Sequence, residues 1–542
     1  MLPMRQRVAC IACALALVTV SVGHVDAGDR PRDIARQIDE HVNRQLSGPQ
    51  TSLITESAFI RRVTLDLAGR IPTVAELEAF RESESLNKRA ELVQRLIDSP
   101  DFAFHQRNQI DTLLLRRLEH NDQWRGYLLE AAQQNRPWDQ LFREVMLPEQ
   151  QADDTRPAMF LRKRLGNLDT AANDSSIIWF GVNVACAKCH DHPLVDDWKQ
   201  AHYYGMASFF KRTFQTRKGS VGERFDGRVK YNTTEGEEFE ADFMFLTGTK
   251  VDEPELDLDE KSLKEYREAI KQAEKDDKAD PPPRPEFSPR AQLVDLALAD
   301  ADQEFFARNI ANRIWARMFG RGLVHPLDQM HSENPPSHPE LLALLAEDLK
   351  THGYNLKRLL QAIALSDTYA RPLHREADGE APLADTFANA VPRPLSPHQL
   401  SLSLKIATSS PLQRTGLAGE DDWAKRRDEL ERQSEGVARQ IDIPDDGFQV
   451  PVTEALWFSN NAQVQNDYLN AGGDRLVGYL EKIESDEQLV LRATQAVLSR
   501  DPHAEEQSAM MQYLNSKSDR RVEAIRQIVW ALLSSPEFRF NR

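Results

Sequence analysis

Apolar residues recur at helical spacing along most of this 542-residue chain, and that periodicity limits the fold more than any other feature. Leu356, Leu359, Leu360 and Ile363 fall at i, i+3, i+4 and i+7, one stripe of an α-helix. Ser337-His338-Pro339-Glu340 reads as a capping box, with Ser337 at the N-cap and Glu340 at N3, opening a leucine-rich helix from Leu341. Phe305 to Met318 is a further helical run that Gly320 and Gly322 are placed to stop. By contrast, Lys211 to Lys250 mixes Gly, Thr, Val, Tyr and Phe, with Phe239, Phe243 and Phe245 in alternating stretches, and reads as strand-rich. A chain of this length exceeds one core. The expected fold is mainly α, with two helical domains and a small strand-rich excursion near 211–250.

Residues 1–27 read as a signal peptide. Arg5 and Arg7 give the positive end, Val8 to Val22 the apolar run, and Val25-Asp26-Ala27 a cleavage site before Gly28. The run is shorter than the ~20 residues a transmembrane helix needs. A periplasmic or extracellular location is therefore expected, with no transmembrane span after the leader is removed. Residues 252–280 carry twelve acidic and six basic side chains and precede Pro281-Pro282-Pro283, the composition of a linker. Leu263, Tyr266 and Ile270 allow one solvated helix within it. The division expected is an N-terminal helical domain over 28–250, an acidic, proline-bearing linker over 251–290, and a C-terminal helical domain over 291–542. Residues 371–392 and 410–450 read as polar loops. A faint internal repeat links Leu67-Ala68-Gly69-Arg70-Ile71-Pro72 and Ser99-Pro100-Asp101-Phe102 to Leu498-Ser499-Arg500-Asp501-Pro502 and Ser535-Pro536-Glu537-Phe538. The alternative is that unrelated helix–turn–helix units share start and stop signals.

Cys10 and Cys13 leave with the leader, so the mature chain keeps two cysteines, both in Cys186-Ala-Lys-Cys189-His190. A disulfide framework is thereby excluded, since only one short bridge can form. CxxCH is the attachment motif for haem c: two thiols add across the vinyl groups, and the following His ligates the iron. Cys186 and Cys189 are the candidate anchors and His190 the proximal ligand. The apolar segment Ile177 to Val184 is placed to cover a haem edge. Met159, Met206 and His202 are candidate sixth ligands, and an open sixth position is also allowed. Two other readings stay open. A haem-free zinc or iron site would use Cys186, Cys189 and one of His190, His192 or His202. Alternatively the cysteines hold no cofactor and are a disulfide or structural thiols.

His325, His331 and His338 crowd one stretch with Asp328 and Glu333, a weaker metal candidate. Arg308, Asn312 and Arg313 share a helix face, suited either to an anionic group or to a buried polar network. No nucleophile elbow, phosphate loop or His-Glu zinc-protease motif is present. The net charge is −17 and becomes −18 without the leader, whose Arg5, Arg7 and Asp26 carry +1. So acidic a surface argues against nucleic acid and leaves a protein redox partner or a surface polymer.

Cys186 to Pro193, Tyr203-Tyr204-Gly205-Met206-Ala207 and Phe209-Phe210 resemble a family of secreted planctomycete-type proteins. These have a cytochrome-like domain of unknown function followed by a second domain of unknown function. Arg61 to Leu67 with Ile71-Pro72-Thr73 resembles the start of the first domain. Asn312-Arg313-Ile314-Trp315, Phe319 to Gly322, His338 to Leu341, Leu365 to Tyr369 and Arg393 to Ser396 resemble the second. Asn108-Gln109-Ile110-Asp111 departs from the aromatic-rich version of that segment, which weakens a role for Asp111. The resemblance implies export and a cytochrome-like 28–250 domain, but no substrate. The function expected is electron transfer or haem-based redox through a single c-type haem. The alternative is a non-catalytic scaffold or binding protein whose CxxCH holds a metal or a disulfide.

Overall fold

The computed structural model describes residues 30–46, 52–118, 121–151, 153–234, 236–255, 259–374, 380–411, 420–444, 461–462 and 464–542. The leader expected at 1–27, with Cys10 and Cys13, lies outside the described residues. The chain is mainly α-helical, and its caps follow local chemistry. Thr55, Thr73, Ser288, Ser396 and Ser485 each accept a backbone N–H in the first turn of a helix. Gly320 (φ 84°) ends the Phe305–Phe319 helix in the left-handed conformation, as its position predicts. The leucine-rich helix runs from Pro339 to Thr351, but its N-cap is His338, not Ser337. Proline is favoured at N1, so Pro339 sets the start one residue later than a capping box would. The 211–250 excursion forms antiparallel pairs: Thr213–Gln215 with Val221–Glu223, Lys230–Asn232 with Glu238–Glu240, and Phe243–Met244 with Lys250–Val251. Among the described residues no helix is long and apolar enough to cross a membrane.

The two stretches that share sequence signals also share bonds. Arg70 closes the turn after the Glu56–Ala68 helix with both guanidinium ends on Glu76 (2.8 Å each), Asp101 (2.8 and 3.1 Å) and the carbonyl of Ile71. Arg500 does the same after the Asp486–Leu498 helix. It binds Glu506 (2.8 and 2.9 Å), Glu537 (2.6 and 2.8 Å) and the carbonyl of Asp501. In each unit the glutamate also accepts the N–H of the next helix cap, Thr73 or His503. The repeat is therefore structural. The units meet through Arg81–Asp501 and Arg492–Glu78 ion pairs.

Two hydrophobic cores result, and neither ends at the expected linker. The larger runs from Ile34 to Phe387 and includes Trp138, Trp179 and Trp315. The smaller joins Leu65, Ile71 and Val74 to residues from 395 to 538. Much of the 251–290 segment is laid on the hairpins. Its Glu260–Lys275 helix buries Ile270 and Ala273, and the Tyr266 hydroxyl donates to the carbonyl of Glu223. Glu223 in turn accepts Ser288 Oγ and pairs with the wholly buried Arg290. Part of the 410–450 stretch, read as loop, is the helix Glu420–Ala438. Its Arg427 and Glu431 are buried among Asp101, Arg107 and Arg125, which is why its polar composition misled.

Candidate functional site

The CxxCH loop is approached through the core. Ser176–Phe180 form a single π-turn, with Trp179 packed on Trp138 (5.1 Å) and Phe142 (4.7 Å). Gly181 then turns the chain at φ 69°, where a Cβ would stand 2.8 Å from Asn309 Oδ1, so only glycine fits. In the run Ile177 to Val184, read as cover for a haem edge, every residue except Asn183 is buried, and the run packs in the core. Val182 bridges Gln329, and Asn183 pairs with the main chain of Asp328 (2.9 Å). The 325–332 segment thus backs the motif.

The motif itself is a one-turn 3-10 helix, Ala185–Lys188, with Cys189 and His190 following. Cys186 and Cys189 are free and exposed. Ala187 between them is buried and pins the turn. Lys188 pairs with Asp169, which also accepts the Tyr203 hydroxyl. The Gln200 side-chain amide donates to the carbonyls of Lys188 (3.2 Å) and Cys189 (3.1 Å). His190 is exposed, and its Nδ1 lies 2.7 Å from the carbonyl of Asp191. A carbonyl only accepts, so Nδ1 carries the proton and Nε2 keeps its lone pair. This is the orientation in which a ligating imidazole is usually held.

The Gln200–Ser208 helix packs on this turn and carries His202 and Met206. Met206 and Met159 are both buried in the larger core. His202 is half-buried, and its Nδ1 accepts the Lys199 N–H (3.1 Å), which leaves the proton of the neutral ring on Nε2. Burial, with the Lys199 charge, lowers its pKa. Beside the motif lies a ledge that the spacing did not reveal. Tyr204 stacks on Tyr231 at 4.1 Å and 11°, and Tyr231 stacks on the half-exposed Phe239 at 6.0 Å. Leu194, four residues past His190, is also exposed.

The histidine-rich 325–338 stretch does not converge. His338 is buried against Phe387, and Ser332, next to His331, instead binds Asp197 through its N–H and its hydroxyl (2.8 Å each). Among the described residues no three His, Cys, Asp or Glu side chains come together to hold a metal ion. Asn312 and Arg313 form a buried polar network: Asn312 pairs with both main-chain groups of Val324, and Arg313 binds Asn309 and the carbonyl of Ile177. Asp111 is structural, accepting Trp124 Nε1 (2.8 Å) and Arg125 (3.1 Å). Burial nonetheless raises it to about 6.

Residues 34–215 match the family model PSCyt2, described as a protein of unknown function (DUF1549). Residues 289–444 match PSD1, described as a protein of unknown function (DUF1553). No curated protein and no solved structure matches the chain.

Proposed function

Because the chain pairs a DUF1549 domain with a DUF1553 domain, and the half whose family name carries the syllable Cyt holds the CxxCH, we propose that it is an exported haem c protein. Cys186 Sγ and Cys189 Sγ would form the two thioether links, and His190 Nε2 would be the proximal ligand. The observation that carries this reading is the 2.7 Å contact of His190 Nδ1 with the carbonyl of Asp191, which assigns the ring proton to Nδ1. The Nδ1–H is spent on Asp191, and the ring's free lone pair lies on an exposed loop beside two free thiols. Haem asks only one iron ligand of this loop, whereas a four-coordinate zinc site would need further donors. When bound, the group supplies a one-electron redox couple. The protein's part is positional. Asp191 orients the imidazole, Lys188–Asp169–Tyr203 fixes the turn, and the Tyr204–Tyr231 stack offers a flat aromatic neighbour. Met159 and Met206 stay in the core, and His202 has its proton on Nε2. None of the three is prepared as a second axial ligand, which favours an open sixth position. Export rests on the leader's charge and apolar run, and the partner on the acidic surface.

The test is to make the full chain in a host with c-type maturation, then denature and solvent-extract it. Haem should stay covalently attached, and the mass should place the mature start near Gly28. Cys186→Ser and Cys189→Ser should each weaken or abolish attachment. His190→Ala should keep some covalent haem with an altered iron spectrum. A colourless polypeptide of unmodified mass would sink the proposal, and elemental analysis of that sample would separate a zinc or iron site from plain thiols.

A further inference from the structure

Away from the motif, a cleft of about 670 Å³ opens between the Pro100–Leu115 helix, the Phe305–Phe319 helix and the 391–399 segment. Its volume lies in the range of small-molecule sites. Its lining includes four arginines, Arg313, Arg317, Arg321 and Arg393, and one carboxylate, Asp66. That carboxylate is fully engaged: Arg393 binds both of its oxygens (2.7 Å each), and Tyr369 and Asn541 donate to it as well. Gly320 makes this packing possible, since a Cβ there would stand 2.8 Å from Arg393 Cγ.

The other three guanidinium groups have no carboxylate partner among the described residues. Arg313 binds Asn309 Oδ1 (2.9 Å) and the carbonyl of Ile177 (2.6 Å). Arg317 binds Gln106 Oε1 (3.0 Å) and the carbonyl of Asp66 (2.9 Å). Desolvation pushes both down to about 10, only partly offset by the charges of Asp328 near Arg313 and Asp66 near Arg317, so they remain charged at neutral pH while hydrogen-bonding only neutral acceptors. Buried charge of one sign is costly unless something compensates it. The same cleft holds groups with no partner at all: Arg321 Nε, Gln106 Nε2 and His398 Nδ1. Gln106 and His398 are each only 7 % exposed. An N–H of a guanidinium and an N–H of an amide are donors, so what is missing is an acceptor bearing negative charge.

We infer that this cleft is a binding site for a small organic oxyanion, a carboxylate, phosphate or sulfate ester on a carbon body. Arg313 and Arg317, one turn apart on a single helix face, and Arg321 just beyond that helix supply the fork-shaped donors that suit such groups. Ile110, Leu113, Ile314 and Leu327 supply an apolar wall that a bare inorganic ion would leave uncovered. The site draws on both matched segments and does not depend on haem.

Calorimetric titration of the full chain with citrate, glucose 6-phosphate and inorganic phosphate, with glucose as the uncharged control, tests this. At least one organic anion should bind saturably at one site per chain and raise the melting temperature, and glucose should do neither. Arg321→Gln removes a guanidinium Nε that no protein group engages, so the fold should persist while affinity falls about tenfold, the loss expected for a charged hydrogen bond. Arg313→Gln should weaken binding at least as much. Absence of saturable binding by all three anions would overturn the inference, as would binding unchanged in Arg321→Gln with a native circular-dichroism spectrum. Inorganic phosphate binding as tightly as glucose 6-phosphate would overturn the assignment to an organic anion.

Discussion

His398 sits on a buried helix, Pro397–Thr408, where burial lowers its pKa to about 3; Glu431 opposes that shift, while Arg125, Arg107 and Arg427 reinforce it. Unfolded, it titrates near 6.5. The unfolded chain therefore takes up the proton first. The stability this residue contributes is complete above pH 6.5 and is lost as pH falls toward 3, by at most ~1.4 kcal/mol per pH unit. His105, lowered in the same sense by burial and by Arg317 and Arg427, adds to the effect. Asp111 acts the opposite way: its folded pKa is raised, so its contribution is complete below about pH 4 and lost as pH rises through about 6. The measurement is therefore a difference. Between pH 6.5 and 4, thermal unfolding of His398→Gln should decline less steeply than that of the native chain, and parallel slopes would refute the assignment. Of the residues singled out, Cys186, Cys189 and His190 were legible because CxxCH is a fixed spacing that stands out in the sequence. Arg317, Arg321 and Gln106 were not. Nothing in their spacing distinguishes an arginine that lacks a carboxylate from one that has it; only the fold shows where Asp66 is spent.

At the scale of elements, the repeat allows one device to be tested in two environments. Arg70 is 1 % exposed, whereas Arg500 is partly open to solvent. Removing Arg70 leaves Glu76 without its guanidinium partner and the buried Asp101 to Arg427 alone, so Arg70→Met should cost about 3–5 kcal/mol. Arg500→Met leaves the more exposed Glu506 with access to water and Glu537 still paired with Arg542, and should cost about 1 kcal/mol. Equal losses in melting temperature would mean that burial does not control the device. Helices with an apolar stripe and a stop signal, such as Leu356–Ala364 and Phe305–Phe319, were readable in outline. The Glu420–Ala438 helix was not, because much of its buried face is charged. Arg427 and Glu431, one turn apart, pair with each other and with Asp101, Arg107 and Arg125, so a pattern of polarity hides a pattern of burial. The cap of the Pro339–Thr351 helix shows a smaller miss of the same kind, in which proline's preference for N1 overrode a serine.

In the whole molecule, cores and sequence segments are divided differently. The larger core binds residues from Ile34 to Phe387 together, so cutting within 276–287 should not release two independent bodies. After limited proteolysis there, the fragments should co-elute in gel filtration under native conditions and separate only in denaturant; separate native peaks would contradict the shared core. Two family models do match either side of the linker, but the hydrophobic cores do not divide there, because composition reports how polar a segment is, not what it lies against. The closing strand carries a consequence of another kind. Phe540–Asn541 pair with Arg393–Pro394, and Asn541 donates to Asp66, 475 residues away in sequence. Ribosomes add about 5–20 residues per second, so Asp66 waits roughly half a minute or longer for this partner. Until then the Glu56–Ala68 helix has neither its second core nor its last hydrogen bonds, and the nascent chain stays incompletely folded throughout its synthesis. Such a delay makes the Asp66 cluster a late event in folding, closed by residues made at the far end of the chain.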